Sequence, residues 1–344
     1  MRTSTRLFCA AILAIGSGIA LADTPGEQAQ AQWHQAIQDG YTTLATKART
    51  LASSAGHYCE KPTEDGRKTV ESAWLGAFLA WQQVRFVDFG PVEKNNRAWQ
   101  FQFWPDPKNL VARKARYLTG TEQPVSDDTI DESGVAVQGF PMVEYLLFDQ
   151  QLQDHDQALP ATKSCEILTA VTRHIADNSA QLSADWSDFK EHYLANEAYR
   201  EATIKAGMTA LEILEERRLA QPMGLRGNSK RNPYIADAWR SGHTLAAAEA
   251  TLAGLHRHYL PGIESLLKTR GQTDLAERID QQFNKALNRF PDDKAPMAAL
   301  LGNDEQFRTL QGLYVHIAQL ATLVNDQAAV SLGVVRGFNS SDGD

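Results

Sequence analysis

Apolar residues recur along this chain at spacings of three and four, as in Trp74, Phe78, Trp81 and Val84, and clean two-residue alternation is scarce. That period belongs to helices with one buried stripe, so the chain reads as all-α. The pattern predicts helices near 25–55, 67–89, 107–119, 141–150, 162–181, 197–219, 235–257, 273–289 and 303–332. Punctuation agrees with it. The "FGP" at 89–91 is a Gly-then-Pro helix end, and "PDPK" at 105–108 offers Asp106 as an N-cap with Pro107 at the first helical position. Two stretches break the rhythm. Residues 120–138, "GTEQPVSDDTIDESGVAVQ", read as an acidic surface excursion, and "PMGLRGNSKRNPY" at 222–234 reads as an irregular loop between helical blocks, where a ligand can be met.

One position disturbs the apolar pattern more than any other. In "GFPMVEYLLF", residues 139–148, Glu144 is the single acid in a segment that is otherwise apolar or aromatic from Met142 to Phe148. Pro141 sets the first turn of a short helix and puts Glu144 about one turn in, near the positive end of the helix dipole. A helix apolar on nearly every side is surrounded by protein, so this carboxylate needs an Arg, Lys or His, backbone donors or a metal. The plain alternative is a structural ion pair between helices. Arg85, after "AWQQV", and Arg240, in "AWRSGH", are the candidate cations, and each could equally be a solvated helix charge with a buried stem. For Asp106 the plain alternative is the helix cap described above. The aromatic cluster Trp99, Phe101, Phe103 and Trp104 reads first as core.

The two stretches "ESAWLGAFLAWQQVRF" at 71–86 and "ADAWRSGHTLAAAEATL" at 236–252 each carry an acid shortly followed by Ala-Trp, which suggests two similar helical bundles. The expected division is a leader at 1–22, an N-terminal bundle at 23–160 holding the GFPMVE segment, a C-terminal bundle at 161–336 and a disordered tail at 337–344.

The leader follows from "MRTSTRLFCAAILAIGSGIALADTP": Arg2 and Arg6, an apolar run, then small residues ahead of Asp23. This is a secretory signal peptide, and it points to the periplasm. No later segment reaches the roughly 18 apolar residues that a spanning helix needs, so no transmembrane segment is expected. Removing the leader deletes two Arg and no acids and takes the formal charge from −8 to −10. Excess acid disfavours nucleic acid and anionic membrane surfaces as partners. Only Cys59 and Cys165 then remain, and in an oxidising compartment they read as a disulfide. Closing about a hundred residues, it would contribute roughly 4–5 kcal/mol.

Nine histidines supply no HExxH, and His256 and His258 stand two apart on a predicted helix, so their rings diverge. GxSxG, P-loop and dinucleotide glycine patterns are absent as well.

Taken together, the leader, "AWQQVRFVDFGP", "FWPDPKNL", "GFPMVEYLLF" and "NPYIADAWRSGHTL" resemble the imelysin-like family over most of the mature chain. The resemblance implies two helical bundles related by a pseudo-repeat, export to the periplasm or association with the outer membrane, and a link to iron or metal uptake. It also implies a site at the junction of the bundles, built on Gly-x-His-x-x-Glu. Gly139 and Glu144 match the ends of that motif, and Pro141 stands in the His place. A His and a Glu three apart on a helix can share one cation, whereas Pro offers no lone pair and leaves Glu144 as the lone metal ligand from this element. Peptidase activity is therefore not expected, because no water-activating metal site would remain.

The reading that follows is a periplasmic binding protein of the cell envelope. Its ligand site comprises Gly139, Pro141, Glu144, Arg85, Trp104, Asp106, Arg240 and Ser241, with Arg85 or Arg240 neutralising Glu144 when the site is empty. Iron, another transition metal such as copper, a haem-related species and a small organic molecule all fit these residues. Two rivals stand beside it: a metal-dependent peptidase, and an envelope scaffold that meets another protein and uses Glu144 only for stability.

Overall fold

The first helix shows how the pattern becomes structure. Thr24 caps it by accepting from the Glu27 N–H while the Glu27 carboxylate accepts from the Thr24 N–H, and Pro25 occupies the first turn. Helix α1 then runs Pro25–Glu60, roughly 54 Å at 1.5 Å per residue. It buries Trp33, Ile37, Tyr41, Leu44, Ala48, Leu51, Ala55 and Tyr58 along one stripe. The computed structural model describes residues 24–227, 230–292 and 295–335. The leader expected at 1–22 and the tail expected at 337–344 lie outside the described residues.

The other principal helices are α2 (Glu64–Val84), α3 (Leu110–Thr119), α4 (Phe140–Phe148), α5 (Thr162–Asp188), α6 (Ala198–Glu212), α7 (Thr244–Gly254), α8 (Leu260–Thr269), α9 (Thr273–Leu287) and α10 (Asp304–Ala321). Among the described residues there is no strand, so the fold is all-α, and no helix is long and apolar enough to cross a membrane. Helix α1 packs along α2 and α5, and α4 sits against α2, α3 and α5. Helix α9 packs on α8 and α10. Helices α1 and α2 also meet the later part of the chain, through α8 and α7. These crossings are tight. A Cβ on Gly254 of α7 would lie 2.1 Å from the Gln83 carbonyl oxygen of α2, so only glycine lets the two backbones touch there.

Cys59 and Cys165 form a disulfide with Cα atoms 5.5 Å apart, tying the end of α1 to the start of α5. It closes a span of 106 residues, which corresponds to roughly 4–5 kcal/mol of stabilisation in the chain-entropy picture.

Three helices pass into π-helical turns: α6 into Ile213–Ala220, α7 into Leu255–Tyr259, and α10 into Thr322–Ala328. The second of these accounts for one departure from the sequence pattern. A helix was expected to stop near 257, yet the chain continues through Pro261 to Thr269, because the wider turn takes up the hydrogen bond and the space that proline denies to an α-turn. The same predicted helix also begins later than 235. Ala238 at φ 50° and Gly242 at φ 76° leave the helical region, so residues 236–243 form a loop and α7 starts at Thr244. The echo of Ala-Trp between the two halves thus has different backbones, with Trp74 inside α2 and Trp239 in this loop.

Candidate ligand cavity

Helix α4 is positioned by its own first residues. Gly139 is its N-cap, and a Cβ there would lie 2.3 Å from the Phe101 carbonyl oxygen and 2.4 Å from that of Gln100. Pro141 occupies the first turn. The helix is apolar almost all round, and it carries Glu144 into the interior, where 4% of the residue remains exposed. The carboxylate is met by a neutral partner. Ser241 donates to Oε1 from both its backbone N–H and its hydroxyl, each at 2.9 Å. Burial raises the Glu144 pKa above the ordinary glutamate value, while the two Ser241 bonds and then the charge of Arg240 pull it back.

The counter-charge role expected for Arg85 and Arg240 is not made through direct bonds. Arg240 donates to Asp149 at 2.8 Å and to Asn109 at 2.7 Å, and its guanidinium lies 4.3 Å from the Trp239 ring centroid. It acts on Glu144 through space only. Arg85 donates to Gln102 at 2.9 Å and Gln82 at 3.2 Å and lies 3.7 Å from the Asp237 carboxylate. Burial, with Arg218 beside it, lowers its pKa to about 10.

Asp237 is the acid at the centre of a second buried network. Its carboxylate accepts from Arg218 at 2.7 and 3.3 Å and from Gln102 at 3.1 Å, and Arg218 also donates to Thr251 at 2.6 Å. Both charged side chains are 1% exposed. The positive φ of Ala238, unusual for a residue with a Cβ, is what turns the chain between inward-facing Asp237 and the neighbouring Trp239 and Arg240.

Between α4 and this loop lies a cavity of about 750 Å³. Its apolar wall comes from Trp74, Phe78, Phe103, Trp104, Phe140 and Trp239, and its polar wall includes Glu144, Asp237, Asp106, Arg217 and Arg240. Of the residues singled out from the sequence, Pro141, Glu144, Trp104, Asp106 and Arg240 line it. Gly139, Arg85 and Ser241 stand behind the wall. Asp106 is occupied as a cap: it accepts from the Leu110 and Val111 N–H groups at 2.7 and 2.9 Å, and the helix starts at Leu110 rather than 107. The aromatic cluster divides. Phe101 is core, Trp99 is 45% exposed, and Phe103 and Trp104 face the cavity.

Sequence reasoning missed Asp237, Arg218, Gln102 and Arg217. The available signal was in "LEILEERRLA", where Arg218 falls on the three-and-four spacing of Leu211 and Leu214 and so interrupts an apolar face with a charge.

The family model described as imelysin (peptidase M75) matches residues 37–324. The chain belongs to the imelysin family. A crystal structure of an imelysin-like protein from Psychrobacter arcticum 273-4 superposes with a TM-score of 0.76 at 19% identity, covering 93% of this chain and 100% of that one. A structure from Parabacteroides distasonis ATCC 8503, described as an iron-regulated protein A precursor, gives 0.65 at 14% identity, with 89% and 97% covered. No curated protein matches the sequence significantly. Within this imelysin fold, the donor set around Glu144 does not fit a metal ion held by protein alone. Among the described residues no three His, Cys, Asp or Glu side chains converge to hold one. Pro141 has no lone pair to offer, Asp237 is engaged by Arg218, and Asp106 by backbone N–H groups.

Proposed function

We propose that this imelysin is a periplasmic binding protein of the cell envelope that holds a small organic ligand in the cavity between α4 and the 236–243 loop. The carrying observation is the pairing of a buried carboxylate with neutral donors in the wall of an aromatic-lined space of about 750 Å³. Sites for small molecules have that volume range, with mostly apolar walls and a few fixed polar groups. Glu144 serves as a hydrogen-bond acceptor for the ligand, and Arg240, fixed by Asp149 and Asn109, supplies a fixed positive edge. The leader-like start of the sequence and the disulfide support the periplasmic assignment. The iron-regulated description of the Parabacteroides distasonis protein supports a role in iron-linked physiology. Given the donor set, iron would arrive as an organic complex rather than as a bare ion.

Elemental analysis and calorimetric titration with iron, copper and zinc salts test this directly, on wild type beside Glu144→Gln. Binding no tighter in the wild type than in the variant is the expected result. Stoichiometric metal that vanishes with Glu144→Gln would overturn the organic-ligand reading and return the site to metal ligation.

A further inference from the structure

The cavity holds a charge that the described residues leave unanswered. Arg217 lines it and is half-buried, and among the described residues it makes no hydrogen bond or ion pair. The neighbouring arginines are all engaged: Arg218 by Asp237, Arg240 by Asp149, Arg85 by Gln82 and Gln102. Arg226 and Arg231, in the depression that adjoins the cavity through Gln221, Asn232 and Ile235, are paired with Glu216 and Asp304. The backbone gives Arg217 its place. It sits in the π-helical turn Ile213–Ala220, a kind of distortion often found at functional sites, which sends Arg218 into the core while its neighbour lines the cavity.

We infer that the ligand is an aromatic organic acid whose carboxylate pairs with Arg217 and whose ring lies against Phe103, Trp104 and Phe140. The inference rests on the cavity reading above and adds the class of molecule. A guanidinium partly removed from water gains most from a planar carboxylate, which it can bind through two parallel N–H bonds. The aromatic walls reward a flat ring. Glu144 orders the two ends, since it repels an acid and accepts from a hydroxyl. Inorganic phosphate would satisfy Arg217 and leave the aromatic wall uncovered. A bare cation would meet the unpaired charge of Arg217.

Two probes of one shape test the assignment by calorimetry and tryptophan fluorescence: 6-hydroxy-2-naphthoate, and 2-naphthol, which lacks the acid. Wild type is expected to prefer the acid by about tenfold or more, the worth of one hydrogen bond to a charged group. Arg217→Gln removes that preference, leaves 2-naphthol affinity unchanged, and keeps the wild-type melting temperature because no protein partner is lost. Equal affinity for both probes in the wild type, or an acid preference that survives Arg217→Gln, would sink the role of Arg217 and leave the cavity reading standing. Inorganic phosphate binding as tightly as the naphthoate would overturn the aromatic class. Absence of binding by either probe would overturn the aromatic-acid inference and leave the cavity reading to its own test.

Discussion

Two buried acids face the same cavity, and they are answered in opposite ways. Asp237 is held by a full positive charge, with Arg218 at 2.7 Å and both side chains 1% exposed. Glu144 is held by the N–H and hydroxyl of Ser241, both neutral. The first arrangement fixes an ion pair, and removing one partner strands the other in the interior. The second leaves the carboxyl able to exist with or without its proton and to exchange donors with a ligand. Asp237 therefore fixes the loop that walls the cavity, and under the proposed function Glu144 is the group that answers a ligand.

The largest test of this contrast is Asp237→Ala. It leaves the Arg218 guanidinium buried without its counter-ion and should lower unfolding free energy by about 3–5 kcal/mol in a denaturant titration. A loss below about 1 kcal/mol would mean that the pair is not the lock described. Glu144→Ala should cost less, about 1–3 kcal/mol, because what remains is an unsatisfied Ser241 N–H rather than an uncompensated charge. Ser241→Ala keeps the backbone donor and removes one bond, for a loss of about 1 kcal/mol.

The smallest effect, Glu144→Gln, has a pH signature. Gln can still accept from Ser241 and cannot ionise. The folded state raises the Glu144 pKa, so the stability that comes from keeping it protonated is complete below the ordinary value of 4.5 and is lost as pH rises through the folded value. Below pH 4.5 the two proteins should agree to within about 1 kcal/mol, and above it the stability difference should move in favour of Gln. Thermal unfolding of both proteins across pH 4 to 8 measures it. A difference that moves the other way would mean that Glu144 has an ionic partner.

Much of this architecture is legible in the sequence, for a physical reason. The stripe of α1 and the solid apolar segment around Glu144 are local patterns, and period 3.6 translates them into buried faces without knowledge of the rest of the chain. Residues 236–243 are different. Ala236, Ala238 and Arg240 in "ADAWRSGH" favour a helix, and tertiary bonds override them: Ala238 turns left-handed, Thr244 donates to the Asp237 carbonyl at 2.7 Å, and Asp237 is drawn to Arg218. Local pattern does not encode the wall of the cavity, because the forces that shape it come from residues distant in sequence. For the same reason a charge pattern points to Arg85 and Arg240 as partners of Glu144, and Ser241, one of the candidate site residues, is the one that bonds to it, through a neutral hydroxyl and a backbone N–H.

Helix α1 buries its stripe against α2, α5 and α8, and Trp33 donates to the Tyr259 carbonyl at 2.7 Å, 226 residues further on. Synthesis begins at the N-terminus, so the first helix to emerge is among the last to be fully covered. Until residues near 260 arrive, the oily ribbon that carries Trp33 has no complete shelter, and exposed apolar surface of that kind is what makes a partly made chain prone to clumping.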